Sequence, residues 1–391
     1  RRGPALPADG FETPVPTAAL LQRRKTLLDE ELRWPGSTPT ELVAIGEMRR
    51  RLADEFKGCP EDMTHDLAVA RFLRGHGGDP ERAAAFMAKA LKYRKGLLEA
   101  SPAVRATREA AAKACSVDLS ALPRAAEILK VVPLRACEGT TAEGLPIMIT
   151  AVRLLDFEAF AKLREPDLNE FLAANFEQRL MVLHQLSVQQ GRMVKFVDVR
   201  DLNGASILAL LTKGRPLLSM MKKTIQVIQD FYPEMVHQMI VFNAPAALSK
   251  VMAIISPILN DRMKSKIQIF PVVEAYSEVT VRLTARAIWS WMKQMNQNVD
   301  FNGMELARGC EEYAVQWLSK GQTLRWKMAV QWRELTIRYA FIAEAASGAP
   351  RPRVEELVLA PGAAGEGAVG PAACDGVVWL AFSNVHSWTA C

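Results

Sequence analysis

Little in this 391-residue chain can hold a metal or a covalent intermediate: it has six cysteines and five histidines. Cys59, Cys115, Cys137, Cys310, Cys374 and Cys391 are scattered, with no C-x-x-C pair and no histidine at zinc-ligand spacing. That excludes a zinc ribbon, and free thiols in a reducing, cytoplasmic setting are expected over a disulfide framework. Phosphate-binding and nucleophile signatures are missing too. There is no G-x-x-x-x-G-K-[ST], no G-x-G-x-x-G after a strand and no G-x-S-x-G elbow. Gly75-His76-Gly77-Gly78 sits between helical segments and reads as a turn. His184 and His237 lack a partner at catalytic spacing. Asp198 and Asp201 flank a strand end, where a structural role outweighs acid–base work. No enzyme activity, cofactor or metal is expected. No run reaches the roughly 18 apolar residues of a membrane span. No charged-then-apolar leader follows Arg1, so the sequence offers no support for secretion.

What is present is an ordinary globular composition: 49% hydrophobic and 24% charged residues, with mean hydropathy +0.01. The 49 basic residues exceed the 43 acidic ones, a net charge of +6. So mild an excess suits an anionic membrane surface as readily as nucleic acid. Trp289, Trp291, Trp317, Trp326, Trp332 and Trp388 read as core rather than as stacking platforms, and no nucleic-acid partner is expected.

Punctuation divides the chain. Prolines at 4, 7, 14 and 16 keep the start irregular, and a helix is expected over 17–33. Helices follow over 40–57 and 64–74, then one opened by Asp79 and Pro80 and running to about Lys95. After Pro123 short apolar runs alternate with helical periods. Strands are expected at 147–152, 193–199, 239–242 and 266–270, and helices at 167–190, 216–230 and 246–259. This is an α/β pattern with a largely parallel sheet. Beyond residue 311 the alternation of Leu324, Trp326, Met328 and Val330, and of Ile337, Tyr339 and Phe341, predicts half-buried strands. The Ala/Gly/Pro-rich segment 345–376 is expected to carry a mobile loop, with a last strand at 377–382. The expected units are a tail to residue 39, a helical module over 40–118, an α/β domain over 119–305 and a β domain over 311–391.

Several of these residues form an ordered series. Arg71-Phe72-Leu73-Arg74, Asp79 and Tyr93-Arg94-Lys95 resemble the N-terminal helical module of the CRAL-TRIO lipid-binding family. Tyr232-Pro233-Glu234, Ile240 to Pro245, Ser256-Pro257-Ile258-Leu259 and Lys264-Ser265-Lys266-Ile267 resemble its Y-P-E, I-x-N-A-P, K-P-F-L and S-K-I-x-I motifs, in order. Phe196-Val197-Asp198 with Leu202-Asn203-Gly204 is similar to its central strand and turn, and 298–303 to its closing motif. Leu324 to Lys327, Ile337 to Phe341 and Trp379 to Trp388 resemble a GOLD domain, a β-sandwich lacking its final strand here.

The resemblance implies a mostly parallel sheet flanked by helices over a cavity that takes one lipid behind a mobile helix. Leu248, Val251, Met252, Ile255 and Leu259 recur at spacings of three and four and are the candidate gate and acyl lining. Periodicity alone favours core packing of this stripe against the sheet, and the ordered motif series reverses that preference. Lys250, Arg262 and Lys264 are the candidate membrane-docking residues, each worth about 1 kcal/mol at an anionic surface. For the headgroup the resemblance implies Glu234 and Lys266, with His76 standing where a stronger base is usual. The expected ligand is a phospholipid, phosphatidylinositol favoured over a tocopherol- or retinoid-like alcohol or aldehyde. Transient membrane contact is expected. A trafficking partner for the GOLD-like tail is the adaptor alternative.

Overall fold

The computed structural model describes residues 38–141, 143–203, 205–245, 247–271, 283–295, 311–330, 334–344 and 355–383. The helix expected over 17–33, the closing motif at 298–303 and the end of the GOLD-like motif beyond Ser383 lie outside them.

The N-terminal helices start where their caps predict. Thr38 caps Pro39–Arg51, and the Asp79 carboxylate accepts from the backbone N–H groups of Glu81 and Arg82, both at 3.0 Å, opening Pro80–Ala100. The Asp66–Gly75 helix buries Leu67, Val69, Ala70, Phe72 and Leu73 against these two, with Met48 and Met87 among the shared core. A further helix, Pro102–Ala114, lies along Glu165–Gln190, which ends on Gly191 at a φ of 61°.

A five-stranded sheet forms the centre, in order β1 (Leu134–Thr140), β2 (Pro146–Ala151), β3 (Phe196–Asp201), β4 (Val236–Ala244) and β5 (Ile267–Pro271). β1 is antiparallel to β2; the other three pairings are parallel. β1 escaped the sequence reading because Arg135, Glu138 and Gly139 interrupt its apolar alternation. Each parallel step crosses through helix: Glu165–Gln190 from β2 to β3, Ile207–Lys213 and Arg215–Phe231 from β3 to β4, Leu248–Ile255 from β4 to β5.

Two apolar clusters meet this sheet. The larger joins Ile147, Ile149, Val197, Val199, Ile240 and Phe242 to Phe171, Phe176 and Leu183 of the long helix, and to Ile288, Trp291 and Met292 of Ala285–Met295. The smaller gathers Leu202, Ile207, Leu210, Leu218 and Val241 with Leu248 and Val251.

The C-terminal region holds an antiparallel sheet in order β6 (Glu311–Leu318), β11 (Gly376–Ser383), β8 (Leu335–Ala343) and β9 (Glu355–Leu359). A separate antiparallel pair joins β7 (Leu324–Ala329) to β10 (Ala364–Val369). Ile342, Val377, Trp379 and Ala381 belong to the same cluster as Trp291, so this sheet packs on Ala285–Met295.

Two expectations need correction. The segment 345–376 is not simply a loop, since it supplies β9 and β10. Its small residues serve packing: Gly367 lies against the Trp326 indole, where a Cβ has no room. The 246–259 segment is not one helix either. The α-helix covers Leu248–Ile255, Ser256–Ile258 tightens into a 3-10 turn around Pro257, and Leu259 is extended.

Candidate functional site

The Y-P-E corner ends the Arg215–Phe231 helix and enters β4. Tyr232 is buried, and its hydroxyl donates to Glu177 Oε1 at 2.9 Å. Glu177 in turn receives both arms of Arg94, at 2.6 and 2.8 Å, and Arg108 Nε at 3.2 Å. Burial and the Glu177 charge raise the Tyr232 pKa well above the ordinary phenol value, so it remains a donor. Arg71 of the R-F-L-R segment is also buried. Its Nη1 donates to the Glu234 carbonyl at 2.6 Å and its Nη2 to the Val194 carbonyl at 2.8 Å. Desolvation lowers its pKa to about 10, still well above neutral. The helical module is thus riveted to the corner by paired, hydrogen-bonded charges.

Glu234 itself has a φ of 57°, a left-handed conformation uncommon for a side chain of this size. Its carboxylate faces three cations. Lys195 Nζ donates to Oε2 at 2.6 Å, while Arg262 Nε and Lys266 Nζ donate to Oε1 at 2.5 and 3.1 Å. Burial disfavours the Glu234 charge, but the Arg262 hydrogen bond and the surrounding cations outweigh it and hold the carboxyl well below its usual range. Burial lowers the Lys266 pKa, with the Lys195 and Arg262 charges adding to the effect and Glu234 opposing it.

A cleft opens over this carboxylate, lined by Gly75, Gln229, Pro233, Asn260, Met263 and Lys266 among others. Its volume is about 30 Å³, room for a water or two and not for a lipid headgroup.

Glu234 and Lys266, paired from the motif series, do meet. Arg262, read as a docking residue, also reaches Glu234. His76 does not line the cleft. Its ring stacks on Phe86 at 4.3 Å and Phe72 at 6.4 Å, and desolvation lowers its pKa, weakening it further as a cation. Lys195 was missed: it sits inside a strand-like apolar run, where a lysine gives no sequence signal of a partner 39 residues away. Lys250 and Lys264 are exposed, Lys264 lying 3.4 Å from Asp261. Of the gate residues, Leu248, Val251 and Leu259 are buried while Met252 and Ile255 are half-buried against the smaller cluster.

Two more motifs lock the strand ends. Asp201 Oδ1 accepts from Asn203 N and from Asn243 Nδ2, both at 2.9 Å, tying the turn after β3 to the N-A-P end of β4. Within β3, Arg200 donates to Asp198 Oδ2 at 3.1 Å and to Thr150 Oγ1.

Residues 136–283 match the family model described as the CRAL/TRIO domain. The chain carries a CRAL/TRIO domain. That domain supports a general role in lipid binding or transfer. No curated protein matches the chain. A crystal structure of Sfh5 is similar at 11% identity and a TM-score of 0.40, over 64% of this chain and 86% of that one. Among the described residues, no helix is long and apolar enough to cross a membrane.

Proposed function

We propose that the protein carries one phospholipid, with phosphatidylinositol the favoured cargo, and exchanges it at membranes by opening the Leu248–Ile255 helix. The observation that carries this reading is the charge balance at the corner: three cations surround the single Glu234 carboxylate at the end of the gate segment. A phosphate diester supplies the missing negative charge. Glu234, kept ionised, accepts from ring hydroxyls in charge-assisted hydrogen bonds stronger than a neutral side chain makes. The apolar cluster beneath the gate suits acyl chains, each buried CH₂ contributing about 0.8 kcal/mol. Exposed Lys250 and Lys264 on the outer side of the gate suit a docking face for an anionic surface.

Vesicle-to-vesicle transfer of labelled lipids tests the reading. Lys266→Met removes a charge-assisted contact worth about 1.5–3 kcal/mol, so phosphatidylinositol transfer should fall roughly ten- to a hundredfold while phosphatidylcholine transfer is spared. Glu234→Gln, which keeps the side-chain shape, should show the same selectivity. Equal losses for both lipids would assign these residues to folding alone.

One observation favours a second cargo. Asp198 Oδ1 and Arg179 Nε are both buried without hydrogen-bond partners, and Arg179 feels the Asp198 charge. A hydroxyl can donate to the one and accept from the other, the chemistry a hydrophobic alcohol offers. Native mass spectrometry of the purified protein separates the two by ligand mass.

A further inference from the structure

The cations around Glu234 differ in how they are held. Lys195 is fully buried and its partner's side chain is 2% exposed, whereas Lys266 is 10% and Arg262 42% exposed. Lys266 is fixed to the sheet at both ends: its Nζ also donates to the Val236 carbonyl at 2.8 Å, and its own carbonyl accepts from Met239 N at 2.9 Å. Arg262 belongs instead to the short Asp261–Ser265 helix, three residues beyond the gate's 3-10 turn. Its side chain lines the small cleft and is the most exposed of the three cations, so a phosphate presented at the mouth meets the guanidinium first.

Another side chain, Gln229, also clasps this end of the gate. Gln229 Nε2 donates to the Ile258 carbonyl at 3.1 Å, and Gln229 Oε1 accepts from Asn260 N at 2.9 Å. The gate helix itself buries just Leu248 and Val251. The segment's C-terminal end is thus held by buried Leu259, by Gln229 and, just beyond it, by the Arg262–Glu234 pair.

We propose that Arg262 is the exchangeable catch of the gate, closed on Glu234 when the cleft is empty and drawn off by a phosphate group presented at its mouth. The exchange is cheap for a definite reason. Removing one partner from a buried ion pair is costly because it strands the other charge. Here Glu234 keeps Lys195 and Lys266 when Arg262 leaves, so no buried charge is stranded. Arg262 gains in return a phosphate whose oxygens match its planar fork in two parallel hydrogen bonds. The like charges of Lys195 and Lys266 beside it also favour the move toward an anion. Phosphate at the mouth and closure of the gate thereby compete for one side chain.

This rests on the reading that 248–258 gates a lipid chamber, but its test measures the gate and not the cargo. The measurement is hydrogen exchange of backbone amides in 248–258, followed by mass spectrometry on the full chain. Three media are compared: chloride, inorganic phosphate at matched ionic strength, and vesicles of phosphatidylcholine with or without phosphatidylinositol. In wild type, phosphate or the phosphatidylinositol vesicles should speed exchange about three- to tenfold over chloride. An effect of both assigns the catch to any phosphate, and an effect of vesicles alone assigns it to the headgroup. Arg262→Gln should exchange fast in every medium; Arg262→Lys should restore much of the difference. Gln229→Met loosens the same end by another route and should stay phosphate-sensitive. Slow, wild-type exchange in Arg262→Gln, or no response of the wild type to either phosphate source, overturns the proposal. If Arg262→Gln frees the gate yet labelled phospholipid does not move, the catch stands and the phospholipid reading falls.

Discussion

Two helices on the central sheet are built to opposite standards. Ala285–Met295 carries Ile288, Trp291 and Met292 at 1% exposure or less, and Trp291 stacks on Phe242 of β4 with ring centroids 5.6 Å apart. Its outer side is covered as well, where Trp289 meets Trp317 of β6 and Arg286 lies over the same indole. Leu248–Ile255 leaves the end of that same strand, yet it is eight residues long, leaves Ile254 37% exposed and is followed by Pro257. Stability within one domain is unevenly distributed, and segments with few buried contacts open first. This sheet therefore has one tightly bolted helix and one lightly packed helix, the candidate gate.

The largest effect should come from the bolted side. Trp291→Ala removes a fully buried indole, an expected cost of about 3–5 kcal/mol. Thermal unfolding followed by circular dichroism should show a drop of many degrees, with the C-terminal sheet lost alongside the central one. On the lightly packed side, Val251→Asp puts an unpaired carboxylate against the smaller cluster, costing several kcal/mol locally. Ile255→Asp should act in the same direction. Fluorescent-lipid loading should be abolished in both while the unfolding temperature stays near wild type. A large drop in that temperature would make the gate stripe ordinary core.

Acid supplies a milder test. The folded-state pKa of Glu234 is depressed, so its contribution to stability is present above the unfolded value and lost as pH falls toward the folded one. With an unfolded carboxylate near pH 4.3, gate exchange should be flat from pH 8 to 5, after correction for intrinsic rates, and rise only below about pH 4. Burial also lowers the Lys266 pKa, so on the alkaline side its charge is lost before that of an exposed lysine. The smallest effect should come from the exposed rim. Lys250→Ala with Lys264→Ala should weaken binding to anionic vesicles by about 1 kcal/mol each, an effect that added salt erases.

Much of the architecture was legible because its signals are local. Asp79-Pro80 announces a helix start through a cap and a fixed φ, and Gly191 announces an end through left-handed backbone. The apolar runs of β2 to β5 lie under helices and so read as strands without alternation. β10 failed the same reading, since Ala364-Gly365-Glu366-Gly367 looks like linker until Trp326 and Leu359 are seen lying over its glycines. At the site, ordered motifs pointed to Glu234 and Lys266, but the part assigned to Arg262 was a rim charge. A charge one residue before Met263, on a short exposed helix, carries no mark of the carboxylate it reaches.

Composition, caps and hydrophobic period by themselves determined where most helices and strands run, and that their order is α/β followed by β. Each of those choices is made within a few neighbouring residues by hydrogen bonding, dihedral restriction and burial of one face. Only the tertiary structure decided which charges meet. Glu234 finds Arg262 across 28 residues, Lys266 across 32 and Lys195 across 39, while Arg71 reaches its carbonyl across 163. No local energy term links such positions. They are brought together because parallel strands place the ends of β3, β4 and β5 side by side, and because an excluded solvent makes every buried charge there find a partner.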